Sequence, residues 1–175
     1  RRMIGRLQHR GPDAGGVFAR GAAGLGHARL SIIDLSGGDQ PIHNEDRTVW
    51  VTFNGEIFNF PEIREDLEAR GHRFYTRTDT EILVHLYEEE GEGLCRHLNG
   101  QFAFAIWDDR RQRLLLGRDR MGIRPLFYHR SDGRLVFGAE IKALFAGPAI
   151  PRGLYGRIIS DVFSCWTPVG ARTAF

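Results

Sequence analysis

Asn54, Gly55 and Glu56 come directly after the run Val49-Trp50-Val51-Thr52-Phe53. That run is apolar, β-branched and aromatic, and reads as a buried strand that ends at the polar triplet. A triplet mounted there is held rigidly. The Asn54 side chain offers an amide N–H, Gly55 lets a backbone N–H approach a ligand closely, and Glu56 adds a charge. Asn-Gly is also the commonest type I′ hairpin signal. Downstream of the triplet, however, lie Asn59, Pro61 and a helical pattern instead of a mirrored strand, so the hairpin is the weaker reading. Two charged residues elsewhere could share such a site. Arg29 can grip a carboxylate as a fork, and Asp79 can face a cation. Each also has a structural reading: Arg29 paired with a carboxylate such as Asp34, and Asp79 as a helix cap or first-turn acid. From the residues alone the structural roles come first.

The elements that must position these residues change in kind along the chain. Met3, Ile4 and Leu7 have helical spacing, and His9-Arg10-Gly11-Pro12-Asp13 is a turn cluster. Residues 16–20 and 24–30 read as short strands separated by Gly21, and residues 35–40 as a Gly-rich loop. A helix capped by Asn59, with Pro61 near its start, is stopped by Gly71. A second helix starts at Thr78 or Asp79, pairs Ile82 with Leu86 and Leu83 with Tyr87, and stops at Gly91. Glu88 to Glu90 then form a solvated face. From Gln101 the period becomes that of strands, with two hairpins turning at residues 108–111 and 131–133, and a short helix begins at Lys142. Strands, helices and strands again predict an α+β fold with antiparallel sheet.

A length of 175 residues suits one domain, and 42% hydrophobic with 26% charged residues excludes a disordered or membrane-embedded chain. No apolar run approaches a membrane span, and nothing at the start reads as a signal peptide. Two cysteines, Cys95 and Cys165, form no disulfide framework, which points to a reducing, cytoplasmic setting. Of the 24 basic residues only Lys142 is lysine. The arginines are interleaved with acids and form no basic stripe, so nucleic-acid binding is not the reading taken.

Six motifs occur in order: His9-Arg10-Gly11-Pro12-Asp13, Arg29-Leu30-Ser31-Ile32-Ile33-Asp34, Asn54-Gly55-Glu56, Thr78-Asp79-Thr80-Glu81, Phe102-Ala103-Phe104-Ala105-Ile106-Trp107-Asp108 and Gly117-Arg118-Asp119-Arg120. Together they resemble the class II glutamine amidotransferase domain of glutamine-hydrolysing asparagine synthetases, over residues 6–144. The resemblance implies a four-layer αββα N-terminal-nucleophile hydrolase fold, antiparallel sheets between helices, with the first strand missing. It implies that an N-terminal cysteine attacks the side-chain amide of glutamine, its own α-amino group acting as base, with release of ammonia. The glutamine-binding residues it implies are Arg29, Leu30, Ser31, Ile32, Ile33, Asn54, Gly55, Glu56 and Asp79, with Asn54 and Gly55 as the oxyanion hole. Arg10, Asp13, Arg118 and Asp119 are expected to be structural, and His27 to serve packing.

The nucleophilic cysteine is absent from this chain, and neither Cys95 nor Cys165 can supply the α-amino base. The chain reads as an internal fragment, with residues 1–150 a partial amidotransferase domain and 151–175 a linker into a synthetase domain. The fragment is expected to be inactive. In the parent protein the expected function is hydrolysis of L-glutamine to glutamate and ammonia for ATP-dependent amidation of aspartate. ATP and Mg belong to the synthetase domain; no metal and no cofactor is expected in this one. A homodimer is compatible with the sequence, and Arg124 is placed outside the site. The alternatives are a non-catalytic glutamine-binding or scaffolding module, and an amidotransferase for a different acceptor.

Overall fold

The computed structural model describes residues 1–30, 34, 37–147, 150–168, 170 and 173–175. The chain opens with a short helix, α1 (Arg2–Gly5), and an antiparallel hairpin, β1 (Ala14–Arg20) and β2 (Ala23–Arg29). Then come β3 (Ile42–His43), β4 (Val49–Ile57), helices α2 (Phe60–Ala69) and α3 (Ile82–Glu90), and a 3₁₀ turn at Gly91–Arg96. Strands β5 (Gly100–Asp108) and β6 (Arg113–Arg118) complete a four-stranded antiparallel sheet in the order β3-β4-β5-β6. A last hairpin, β7 (Phe127–Ser131) and β8 (Arg134–Gly138), precedes the helices α4 (Ile141–Leu144) and α5 (Gly156–Cys165).

Alternation in the two central strands builds the core and the site together. β4 and β5 pair from Val49 opposite Asp108 to Ile57 opposite Gly100. Val51, Phe53 and Ile57, with Phe102, Phe104 and Ile106, bury one face against Leu67 of α2 and Ile82, Leu83 and Leu86 of α3. On the other face Ala105 and Trp107 pack with Phe18 and Leu25 of the first hairpin. Each large apolar side chain so buried contributes about 1.5–3 kcal/mol. A slip of one residue would drive Thr52 and Asn54 into the aliphatic layer, so the register is firmly specified. α1 and α4 pack on each other and on β2 and β8. The layers therefore run helix, four-stranded sheet, the two separate hairpins β1–β2 and β7–β8, and helix, as an α+β fold of antiparallel sheets.

Three local expectations change. β4 does not end at Phe53 but runs through the polar triplet to Ile57, because β5 continues to pair with it. Asn59 occupies the N-cap of α2 without a side-chain cap bond. Its amide is spent across the fold instead, donating to the His97 carbonyl at 2.9 Å and accepting from the Asn99 N–H at 2.9 Å. α3 begins at Ile82, three residues beyond Asp79, so Asp79 neither caps it nor lies in its first turn. Among the described residues no helix is long and apolar enough to cross a membrane.

Candidate active site

A cleft of about 870 Å³ opens where the central sheet meets β1–β2, α1 and the final hairpin. Arg29, Leu30, Asn54, Gly55, Glu56 and Asp79 all line it. Ser31, Ile32 and Ile33 lie outside the described residues. Strand alternation explains the lining. Thr52, Asn54 and Glu56 share the face of β4 opposite to the core residues, and Thr52 and Asn54 lie opposite Ala105 and Ala103 of β5. Those two alanines also line the cleft, and their small side chains leave the space that larger ones would fill.

Asn54 Nδ2 is buried and has no hydrogen-bond partner. An amide donor in that state is uncommon, and a ligand acceptor in the cleft would satisfy it. The Gly55 N–H is placed by strand geometry. In an antiparallel ladder the N–H groups of residues two apart point to the same edge. On either side of Gly55, the Phe53 N–H donates to Gln40 Oε1 at 2.7 Å and the Ile57 N–H donates to Asp79 Oδ2 at 3.0 Å, both away from β5. On the partner strand the Phe102 carbonyl is taken by the Asp119 N–H at 2.8 Å, which turns the Gly55–Phe102 pair into one that exchanges no ladder bonds. The Gly55 N–H therefore faces the same open edge as its two neighbours. Only glycine fits: φ is +154°, and a Cβ would lie 2.1 Å from the Gln101 carbonyl oxygen and 2.7 Å from Phe102 Cα.

The charged residues are more engaged than their types suggest. Arg29 is buried; Nη1 donates to Asp39 Oδ1 at 2.9 Å and Nη2 to the Asp34 carbonyl at 2.6 Å. The Asp34 carboxylate pairs elsewhere, accepting from the N–H groups of Arg77 and Gly37. Asp39 is 76% exposed, so its hold on the guanidinium is one an incoming carboxylate can replace. Burial pushes the Asp79 carboxyl above its ordinary range, against the Ile57 N–H bond that lowers it, and the charge of exposed Glu56 raises it further. Burial, with the Arg29 charge beside it, lowers His27 from 6.5 to about 4, so His27 is neutral near pH 7. Its Nδ1 lies 3.4 Å from Thr52 Oγ1.

Of the residues taken as structural, Asp119 and Arg118 hold a turn, whereas Arg10 makes a long-range ion pair and also lines the cleft. Arg10 pairs with Glu140 at 3.3 Å, and Asp119 accepts from the N–H groups of Phe102, Ile123 and Arg124. Arg118 donates to the carbonyls of Gly122 and Arg124. Arg124 needs correcting: it lines the cleft, with a buried Nε that has no hydrogen-bond partner. Thr78, a member of the fourth motif but not among the expected site residues, also lines it, as does Gln40, which nothing local in the sequence singled out. Cys95 packs against the core, and burial raises its thiol, the reverse of an activated nucleophile. Cys165 is exposed on α5, and neither cysteine is among the residues lining the cleft.

Comparison with known proteins bears on the family and the fold. The glutamine amidotransferase domain family matches residues 1–175. Asparagine synthetase [glutamine-hydrolyzing] 3 of Bacillus subtilis is 41% identical over 164 residues, covering 93% of this chain and 27% of the relative. Asparagine synthetase [glutamine-hydrolyzing] 2 of Arabidopsis thaliana is 47% identical over 140 residues, covering 79% of this chain and 24% of the relative. The chain thus spans about a quarter of the length of these curated relatives. Among solved structures, the glutamine phosphoribosylpyrophosphate amidotransferase from B. subtilis, complexed with ADP and GMP, superposes with a TM-score of 0.59 at 25% identity, covering 70% of this chain and 29% of its own. The chain belongs to the glutamine amidotransferase domain family, and the curated relatives it matches are glutamine-hydrolysing asparagine synthetases.

Proposed function

We propose that the cleft binds L-glutamine and presents its side-chain amide to a cysteine thiolate. The observation that carries this reading is the buried, unpartnered Asn54 Nδ2 beside the open-edge N–H of Gly55. Attack on the amide carbon converts the carbonyl oxygen into an oxyanion, and these two groups are the donors it needs. Arg29 takes the substrate carboxylate in place of Asp39, and Asp79 with Glu56 faces the α-ammonium. The thiolate forms an acyl-enzyme as ammonia leaves, and water then releases glutamate. The nucleophile is an N-terminal cysteine outside these 175 residues, with its own α-amino group as base. The 175 residues by themselves bind glutamine without hydrolysing it. The ammonia serves ATP-dependent amidation of aspartate in a synthetase domain that holds ATP and Mg, with residues 151–175 leading towards it, in the cytoplasm.

The test compares this chain with a version extended upstream to a processed N-terminal cysteine. Titration calorimetry of the 175 residues should show glutamine binding, and an ammonia assay should show no turnover; turnover above background would sink the assignment of the nucleophile. In the extended protein Asn54→Ala should lower kcat about 10²–10³-fold, with KM little changed. An unchanged kcat would remove Asn54 from the oxyanion hole.

A further inference from the structure

Away from the cleft, four side chains meet that the chemistry above does not use. Glu45 lies in the β3–β4 turn, His72 just past α2, and His85 and Glu88 one turn apart on α3. One ligand atom from each lies within 4.8 Å of all the others. His85 Nδ1 is 3.4 Å from Glu45 Oε2 and 3.4 Å from Glu88 Oε2. His72 Nδ1 is 3.8 Å from Glu45 Oε1 and 3.8 Å from Glu88 Oε2. Zinc bonds of about 2.0–2.1 Å to imidazole and carboxylate, arranged tetrahedrally, set ligand atoms roughly 3.3–3.4 Å apart. The cluster is therefore close to the size that such an ion would draw together.

His85 supplies an independent observation. It is 0% exposed, yet neither ring nitrogen has a hydrogen-bond partner. Its ring nitrogens have only carboxylates at 3.4–3.7 Å as neighbours, with no hydrogen bond formed, and a metal drawn in at Nδ1 would satisfy that side of the ring. The surroundings are those of a metal-bound pair. Each histidine turns Nδ1 into the cluster and Nε2 towards an outer carboxylate, Glu89 at 3.1 Å for His72 and Glu81 at 3.7 Å for His85. Glu88 and Glu45 are steadied through Oε1 by the Asn44 amide at 2.7 Å and the Arg73 N–H at 2.9 Å, which leaves Oε2 of each facing His85. Four carboxylates around two imidazoles leave an excess of negative charge that a dication balances.

We propose that Glu45, His72, His85 and Glu88 bind a divalent transition metal of the zinc class. Four protein ligands close the coordination sphere, so the site is structural. It ties the β3–β4 turn and the end of α2 to α3, on elements whose other side forms the core under the cleft.

The test uses the 175-residue protein stripped with a chelator and titrated with zinc in a calorimeter and with cobalt(II) in a spectrometer. The expected result is one equivalent of zinc and the intense visible bands of tetrahedral cobalt. Glu45→Gln and His72→Gln, at positions that are not fully buried, should keep the native circular dichroism and weaken zinc binding at least about tenfold. Absence of a one-equivalent transition, an octahedral cobalt spectrum, or unchanged affinity in both variants would overturn the site. Any of these would leave the cluster as an ion-pair network with a protonated His85.

Discussion

Replacing Gly55 by alanine tests the local geometry most directly. The added Cβ would meet two backbone atoms of β5, the Gln101 carbonyl oxygen at 2.1 Å and Phe102 Cα at 2.7 Å. Neither can move without parting the two central strands, which are paired over their whole length. The backbone at φ +154° adds strain of about 1–3 kcal/mol for a residue with a side chain. Overpacking against β5 adds a further 1–3 kcal/mol or so. A loss of about 4 kcal/mol is a large part of the roughly 5–15 kcal/mol that holds a domain together. With a urea m-value near 2 kcal/mol/M, the unfolding midpoint should fall by about 2 M. Gly24→Ala is the control, since its Cβ would meet only the Phe18 carbonyl oxygen, at 3.8 Å. That variant should match the parent or gain up to about 1 kcal/mol. If Gly55→Ala unfolds within about 0.3 M urea of the parent, the close approach of β4 and β5 is wrong, and with it the placement of the Gly55 N–H.

Two further predictions concern protons at the cleft. Burial raises the Asp79 carboxyl above its ordinary range, so it protonates earlier than a free carboxylate as pH falls. Glutamine affinity measured by calorimetry should therefore weaken as pH drops through that raised value, whereas Asp79→Asn should bind weakly at every pH; a wild-type affinity flat down to the usual carboxylate range would refute the role. For His27 the folded value of about 4 lies below the unfolded 6.5, so between them the unfolded chain binds the extra proton. The stabilisation is present above about pH 6.5 and is lost as pH falls towards 4, and at about 1.4 kcal/mol per pH unit it amounts to roughly 3 kcal/mol. Urea titrations at pH 4.5 and 7 should show His27→Gln losing much of this pH dependence; an equal slope in both proteins would place the effect elsewhere.

Much of the framework is legible in the sequence because it is written in local chemistry. The alternation of residues 102–107, the turn residues 131–133 and the glycine stops at 71 and 91 each act within a few positions. The misreadings fall where a distant group overrides a local preference. The polar triplet reads as a strand end, but pairing with β5 carries the strand on to Ile57. Asp79 reads as a cap, yet its carboxylate is taken by an N–H twenty-two positions earlier in the chain. Arg124 reads as lying outside the site because the sequence says nothing of what lies across the cleft from it.

The sequence by itself determined the fold class, the family motifs and six of the residues that line the cleft, Arg29, Leu30, Asn54, Gly55, Glu56 and Asp79, since periodicity and motif spacing are properties of the chain. Only the tertiary structure decided how those residues are used. It pairs buried Arg29 with Asp39 and the Asp34 carbonyl, leaves Asn54 Nδ2 unpartnered, and aims the Gly55 N–H at an open edge. It also assembles Glu45, His72, His85 and Glu88 from a turn, a helix end and a second helix. No spacing rule announces such a cluster, because the separations that matter are set by packing α2 and α3 on the sheet and not by the chain between them.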